Sequence, residues 1–246
     1  MKNNLVKRGV RRLIAIYNRF FSFLRPYGIN YQQISYSQSG EDLIVKFIFD
    51  NVGLIKPTYL DIGAHHPYYF SNTAIFYKNG CRGINIEPDS KLFERFLKYR
   101  KNDISLNLGI GDTEEELDFY EISEKVLNTF SATEANRFVS DLGYKITNIR
   151  RIKLITIEQI IKKYNHGKAF DFLSIDVEGL DEKIIKSINF ENIRPKVICC
   201  ETISFSTNGR GIKNEGLISH IVNNGYMNYA DTNINTIFVE KEFWQR

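Results

Sequence analysis

Short apolar segments alternate with segments of helical periodicity along most of this chain, and this alternation constrains the fold more than any other feature. The apolar segments have the length of buried strands, and the segments between them repeat apolar residues every three or four positions. Such alternation predicts a doubly wound α/β fold with a mostly parallel sheet. The predicted strands are 58–62, 83–87, 104–110, 170–176 and 196–201, and the predicted helices are 40–51, 72–78, 90–100, 156–164, 181–187 and 215–224.

The end of the chain follows a different pattern. Two further apolar segments, 226–230 and 236–240, are separated by the turn-rich residues 231–235, which predicts an antiparallel hairpin. With this hairpin the sheet has about seven strands. A parallel sheet closed by an antiparallel hairpin is typical of the Rossmann-like class I methyltransferase fold and not of the dinucleotide-dehydrogenase variant.

One stretch, near residues 115–151, fits neither part of this pattern. It contains two additional predicted strands, 117–120 and 149–155, around a predicted helix at 133–140. We therefore predict that this stretch is an insertion and that it covers the substrate side of the domain.

The first 33 residues are predicted to form a basic helix and linker ahead of a domain at 34–246. The first 40 residues contain seven Lys or Arg residues and no Asp or Glu, whereas the whole chain has a net charge of +4. The body of the chain is therefore mildly acidic, which argues against nucleic acid as a partner. Apolar residues recur at helical spacing between Leu5 and Leu24. This helix could pack on the domain or on a second copy of the chain, as in a homo-oligomer, or it could contact an anionic membrane peripherally.

The composition indicates a globular protein in a reducing compartment. With 43% hydrophobic and 25% charged residues, the chain resembles neither a disordered nor a collagen-like sequence. No apolar run approaches the roughly 18 residues that suggest a membrane-spanning helix. Cys81, Cys199 and Cys200 are odd in number and lie in apolar surroundings, which predicts buried free thiols. We expect a cytoplasmic protein, which the membrane-contact alternative would place at the inner face of the membrane.

Two strand ends predict a site for a nucleoside. Asp61 and Gly63 follow the first apolar strand, where ligands bind in open α/β sheets. Glu87 closes the second strand 26 residues after Asp61, where a carboxylate can accept both hydroxyls of a ribose. The alternative is structural, since an acid at a strand end also caps helices. The second and third glycines of the dinucleotide fingerprint are missing, because His65, His66 and Pro67 follow Ala64. A ligand with a ribose but no pyrophosphate, such as S-adenosylmethionine, therefore fits better.

Four ordered segments resemble the FkbM-type methyltransferases, a branch of the class I S-adenosylmethionine-dependent enzymes that mostly O-methylate sugars and other hydroxylated metabolites. The resemblance spans about residues 34 to 240 and leaves out the basic N-terminal segment. The segments are 36–42 (YSQSGED), 60–67 (LDIGAHHP) with 71–73 (SNT), 82–88 (RGINIEP) and 171–179 (DFLSIDVEG).

This resemblance implies roles for several residues that bind the cofactor. Asp61 and Gly63 would line the methionine portion of S-adenosylmethionine, and Glu87 would bind its ribose. Gln38 and Glu41 would close over the cofactor.

Further cofactor contacts are predicted from position in the sequence. Asn72 stands at the start of a predicted helix, where its amide or side chain could meet the cofactor carboxylate. Gly109 to Asp112 follow the third strand and should border the adenine, although Gly111-Asp112 is also a plain turn sequence.

The chemistry of methyl transfer requires help with a proton, because a sugar hydroxyl is a poor acid. Asp176 and Glu201 end the fourth and fifth core strands, which should be neighbours about 4.8 Å apart. Three roles remain open for Asp176: general base, ligand of Mg²⁺ or Mn²⁺ together with Glu201, or cap of the next helix. Glu178 and His66 are further candidates for catalysis.

The sequence thus predicts an S-adenosylmethionine-dependent O-methyltransferase. The predicted acceptor is a sugar hydroxyl, carried by a nucleotide-activated sugar or by a precursor of a surface polysaccharide or glycan. Two alternatives remain: an NAD-dependent Rossmann oxidoreductase, and a non-catalytic binding module tethered to a membrane by the basic helix.

Overall fold

A seven-stranded sheet forms the core of the α/β domain, in a computed structural model that describes residues 32–177, 179–204 and 211–245. The strand order is β3-β2-β1-β7-β8-β10-β9. The first five of these strands run parallel, and β10 pairs antiparallel with both β8 and β9. The strands of this sheet are β1 (Tyr59–Ile62), β2 (Gly83–Ile86), β3 (Ile104–Leu106), β7 (Phe172–Ile175), β8 (Val197–Glu201), β9 (Tyr226–Asp231) and β10 (Asn235–Glu240).

Helices cover both faces of the sheet, which explains why its central strands are apolar on both sides. On one face, Tyr59, Phe172 and Val197 pack against the first two helices and the last one. On the other face, Leu60 and Leu173 pack in a second core. The helices are α1 (Glu41–Asn51), α2 (Ala74–Lys78), α3 (Ser90–Tyr99), α4 (Ala132–Ser140), α5 (Ile157–Tyr164), α6 (Asp181–Ser187), α7 (Glu215–Asn223) and α8 (Lys241–Trp244).

The predicted fold class is confirmed, because the sheet is doubly wound, mostly parallel and closed by an antiparallel hairpin. The chain passes from β1 to β2 and β3 on one side, and then returns to add β7 and β8 on the other side of β1. This reversal places the switch point between the carboxyl ends of β1 and β7, where open α/β sheets bind ligands. The last helix, α8, was not predicted from the sequence.

The predicted strand at 104–110 is wrong as a single element. The structure divides it into β3 in the main sheet and β4 (Gly109–Ile110) in a second sheet. Asn107 lies between the two, and its side-chain amide donates hydrogen bonds to the carbonyls of Glu87 and Pro88, at 2.8 and 2.9 Å. These bonds stop the ladder with β2 and turn the chain outward.

The predicted insertion forms this second sheet, in the order β4-β6-β5. β5 (Glu115–Ile122) and β6 (Ile146–Ile155) are longer than the sequence predicted, and a 3₁₀ turn (Lys125–Leu127) and α4 join them. A small core around Ile122 and Phe138 supports the insertion.

Three remaining predictions concern burial and the chain ends. Cys81, Cys199 and Cys200 are all buried and unpaired, as expected. No helix among the described residues is long and apolar enough to cross a membrane. The predicted basic helix lies in residues 1–31, outside the described residues, so its role and the domain boundary at 33/34 stay predictions.

Candidate functional site

A deep cavity opens at the carboxyl ends of β1, β2, β7 and β8, at the switch point of the sheet. Strand ends, the insertion, the hairpin and the segment before α1 all contribute walls. Of the residues predicted from the sequence, the cavity is lined by Gln38, Asp61, Gly63, Asn72, Glu87, Gly109, Asp176 and Glu201. Most of the predicted site residues therefore lie around one cavity.

Gly63 brings the loop after β1 into direct contact with the end of β7. Its φ is +74°, a conformation that side chains disfavour. A Cβ atom at this position would also lie 1.8 Å from the backbone oxygen of Asp176. Only glycine can occupy this position without moving one of the two strand ends.

Glu87 is held by two backbone amides at the end of β2. Its Oε2 accepts the N–H of His65 and its Oε1 accepts the N–H of Asp89, both at 2.7 Å. Burial raises the pKa of Glu87 to about 8. Both oxygens are therefore fixed in direction, and each retains lone pairs for a further donor.

Asp61 is also held from behind. Its Oδ2 accepts a hydrogen bond from the Thr73 hydroxyl at 2.5 Å. Burial raises the pKa of Asp61, while the charge of Arg100 and the bond from Thr73 oppose that rise. The carboxyl lines the cavity from a position with almost no contact to bulk solvent.

An apolar slot lies beside Glu87. The rings of Phe119 and Phe130 are 4.8 Å apart and tilted by 48°. Both residues come from the insertion and were not predicted as site residues. The slot is formed by Leu92, Ile110, Phe119, Leu127 and Phe130. This apolar and aromatic lining suits a flat heteroaromatic ring.

Asp89 fastens the insertion over the cavity. Its Oδ2 accepts hydrogen bonds from Lys125 and Asn128, both at 3.1 Å. Its Oδ1 caps α3 by accepting the backbone N–H groups of Lys91 and Leu92. One carboxylate thus connects the end of β2 to a loop that is distant in sequence.

The segment before α1 lies at the cavity mouth. Gln38 lines the cavity, whereas Glu41 does not. The buried Glu41 carboxylate accepts hydrogen bonds from Thr232 at 2.8 Å, from Asn235 at 3.0 Å and from the N–H of Ser39 at 2.8 Å. Glu41 therefore clamps this segment to the turn of the C-terminal hairpin.

Asp176 and Glu201 face the cavity from adjacent strand ends. Neither carboxylate makes a hydrogen bond or an ion pair with the part of the chain that the structure describes. The pKa of Asp176 is raised by its position deep in the protein and by the nearby charges of Asp181 and Asp61. The pKa of Glu201 is raised by burial and by Asp176. These two groups can therefore take up protons near neutral pH.

The two adjacent histidines point in different directions. His65, with φ of +51°, lines the cavity, and burial together with the charge of His66 lowers its pKa to about 4. His66 does not line the cavity, and its Nδ1 accepts the backbone N–H groups of Tyr68 and Tyr69, at 3.2 and 3.1 Å. The catalytic role predicted for His66 has no support in these contacts.

Two predicted site residues remain, Asp112 and Glu178. Asp112 is paired with Lys183 at 2.9 Å and does not line the cavity. Glu178 falls outside the described residues. Within the described parts of the chain, no group of three or more His, Cys, Asp or Glu side chains is arranged to hold a metal ion.

The cavity fits the cofactor predicted from the sequence. Glu87 presents two oriented oxygens to a ribose, the apolar slot beside it suits an adenine, and Asp61 offers a buried carboxyl to an amino group. Gly63 leaves room for the backbone to approach a ligand between Asp61 and Asp176.

Several solved structures are similar to this chain at low sequence identity. Methyltransferase FkbM from Methylobacillus flagellatus KT is 14% identical with a TM-score of 0.43, and the match covers 75% of this chain but only 43% of that one. A putative caffeoyl-CoA O-methyltransferase from Staphylococcus aureus is 13% identical with a TM-score of 0.47, over 96% of this chain and 99% of that one. A TehB-like SAM-dependent methyltransferase from Corynebacterium glutamicum is 11% identical with a TM-score of 0.43, over 92% and 100%.

The family comparison bears on the site more directly. No curated protein matches the chain. The family model described as the Methyltransferase FkbM domain matches residues 61–240. This match extends from Asp61 past Glu201, so it includes every strand end that builds the cavity.

Proposed function

The chain belongs to the FkbM family of S-adenosylmethionine-dependent methyltransferases, and on that premise we propose that it methylates a hydroxyl group of a sugar, with Asp176 as the general base. The acceptor is a nucleotide-activated sugar or a glycan precursor. The observation that carries this proposal is the carboxylate of Asp176, which lines the cavity at the end of β7 and has no hydrogen-bond partner among the described residues.

The surroundings of Asp176 support a proton-accepting role. The side chain is exposed and lines the cavity. Its raised pKa, about 7, is close to the pH at which a general base works best. A helix-capping role is not supported, because the start of α6 has no side-chain cap, and the N–H groups of Val177 and Gly179 in the preceding loop donate to Asp181.

The residues around the cavity have separate tasks in this mechanism. When bound, S-adenosylmethionine supplies a methyl group on a sulfonium, which the acceptor oxygen attacks as the carbon–sulfur bond breaks. Glu87 would hold the ribose hydroxyls, and Asp61 would hold the amino group. Asp176 accepts the proton that the acceptor hydroxyl loses. Gly63 allows the loop that follows Asp61 to lie directly against the backbone of Asp176.

A divalent cation shared by Asp176 and Glu201 is the alternative role for this pair. Two carboxylates would leave most of the six coordination positions of Mg²⁺ to water and the acceptor. Activity lost in EDTA and restored by Mg²⁺ or Mn²⁺ would support the cation, and Glu201→Gln would then raise the metal concentration required. Full activity after exhaustive chelation would leave Asp176 acting as a base alone.

Two measurements test the proposed function. Isothermal titration should show binding of S-adenosylhomocysteine and none of NAD, the ligand of the oxidoreductase alternative. Sugars and nucleotide sugars incubated with S-adenosylmethionine should then be screened for a gain of one methyl group by mass spectrometry. Binding of NAD but not of S-adenosylhomocysteine would overturn the proposal, and a failure of every acceptor would favour the non-catalytic module.

We also propose that the protein acts in the cytoplasm, with residues 1–26 mediating either contact with the inner face of the membrane or self-association. Deletion of these residues should leave binding of S-adenosylhomocysteine unchanged, because the proposed cofactor residues all follow them in sequence. Salt-sensitive flotation with anionic liposomes that disappears on deletion would support membrane contact. A change in oligomeric state without flotation would support self-association.

A further inference from the structure

Arg100 is the largest side chain that is fully buried in the described part of the chain, and the cavity does not explain its burial. It follows α3 and lies behind β1, out of contact with the cavity. Its guanidinium bonds Asp103 through Nε and the Tyr59 hydroxyl through Nη2, at 2.9 and 2.8 Å. The remaining arm, Nη1, donates to the Thr73 hydroxyl at 2.9 Å.

The direction of these hydrogen bonds is fixed by chemistry. A guanidinium can only donate, so the Thr73 oxygen accepts from Arg100 and its proton is free to point elsewhere. The next oxygen along is Oδ2 of Asp61, at 2.5 Å. Thr73 must therefore donate to Asp61, and an ionised carboxylate is the form of Asp61 that accepts this bond best.

The charges around Asp61 are unequal. Arg100 and Asp103 form a buried pair behind it, and Gly83 and Asn85 donate further bonds to Asp103. The groups that face Asp61 from neighbouring elements are acidic or neutral: Glu87 at the end of β2, Asp176 at the end of β7 and the thiol of Cys199 in β8. Arg100 is thus the cation that opposes the protonation of Asp61.

We propose that Thr73 and Arg100 are positioning residues that keep Asp61 ionised and oriented, so that its carboxylate can bind the cationic amino group of the cofactor. This inference rests on the proposed function, because it requires a ligand with such an amino group. The relay of Arg100, Thr73 and Asp61 touches the ligand only through Asp61.

A matched pair of variants at Thr73 tests the relay. Thr73→Val keeps the shape and removes the hydroxyl, whereas Thr73→Ser keeps the hydroxyl. The ligands are S-adenosylhomocysteine, which has the amino group, and 5′-methylthioadenosine, which lacks the amino-acid portion. At pH 7, Thr73→Val should weaken S-adenosylhomocysteine binding roughly ten- to a hundredfold, the range for a hydrogen bond to a charged group. Thr73→Ser should restore most of it, and 5′-methylthioadenosine should bind all three proteins alike.

The pH profile gives a readout that a packing defect would not change. Without the Thr73 donor, the pKa of Asp61 rises further, even though Ser174 also bonds this carboxyl. The affinity of Thr73→Val for S-adenosylhomocysteine should therefore recover, relative to Thr73→Ser, as the pH is raised. Should Thr73→Val fail to fold, Arg100→Lys keeps the buried charge but loses the guanidinium fork, and it should give the same selective loss.

The outcomes separate the relay from the proposed function. If the wild-type protein does not bind S-adenosylhomocysteine, the proposed function fails. If the wild type binds but the valine and serine variants behave alike, or if both ligands weaken together, the relay is overturned and Thr73 is only a packing residue.

Discussion

The two ends of the cavity treat their carboxylates in opposite ways. At the cofactor end, Asp61 and Glu87 each receive hydrogen bonds from groups fixed in the protein. At the acceptor end, Asp176 and Glu201 receive none from the described residues. The charge of Asp176 also raises the pKa of Glu201. The carboxylates of the cofactor end are oriented by the protein before any ligand binds, whereas those of the acceptor end still have free hydrogen-bonding capacity for a ligand. Binding and chemistry should therefore respond to different substitutions.

The largest expected effect comes from removing the unpaired acid. Asp176→Asn should lower the rate of methyl transfer by about 10²–10⁴-fold, the usual contribution of a general base. Its affinity for S-adenosylhomocysteine should change by less than about twofold, because the proposed cofactor contacts are elsewhere. Steady-state rates with the screened acceptor and titration of S-adenosylhomocysteine measure the two quantities. A parallel loss of both would mean that the two ends are not separate.

Gly63 joins the two ends, so a substitution there should damage both. Gly63→Ala should lower the free energy of unfolding by about 3 kcal/mol or more, since the added methyl group meets the backbone of Asp176. The matched control is Gly167→Ala, which has a similar φ of +77° but no atom within 4 Å of the added Cβ. It should cost only about 1 kcal/mol. Equal losses in urea denaturation would show that the contact with β7 is unimportant.

The cofactor end should titrate in a known direction. Burial raises the pKa of Glu87 to about 8 without ligand, and ribose hydroxyls donate to the ionised form. The affinity for S-adenosylhomocysteine should therefore increase as pH rises toward 8, and weaken by up to about tenfold for each pH unit below it.

Glu87→Gln serves as the reference, because it keeps the shape without the titrating group. It should bind about ten- to a hundredfold more weakly above pH 8, and the ratio of wild-type to variant affinity should fall as the pH is lowered. A ratio that is constant from pH 6 to pH 8.5 would contradict the ribose-binding role.

The smallest effect is expected at Asp112, which the sequence placed near the adenine. Its carboxylate is paired with Lys183 and lies outside the cavity. Asp112→Asn should change the affinity for S-adenosylhomocysteine by less than about twofold, since partly exposed ion pairs contribute little. A larger loss would restore the predicted contact with the cofactor.

Most of the predicted residues that line the cavity lie at or just after the end of a buried strand. Asp61, Glu87 and Asp176 could be placed because strand ends of a parallel sheet meet at one edge. Phe119 and Lys125 could not, because which residues of the insertion face inward depends on the bonds that Asp89 makes to a distant loop.

The sequence also could not show that His65, and not His66, lines the cavity. Both residues follow Gly63 in a loop, and their types give no indication of which one faces the cavity. His65 has a positive φ and lines the cavity, whereas His66 accepts backbone N–H groups. Positive φ at a residue other than glycine is uncommon and is not evident from the sequence.

The Glu41 clamp has a consequence for the order of events during synthesis. Its partners Thr232 and Asn235 are 191 and 194 positions later in the chain. At the ribosome's rate of about 5–20 residues per second, roughly 10 to 40 seconds separate the emergence of the two sides. The segment that contains Gln38 and Glu41 therefore cannot bond to the hairpin until the hairpin has left the ribosome. Tight cofactor binding should consequently report that the whole domain has been made, and nascent chains that stop before the hairpin should bind it weakly.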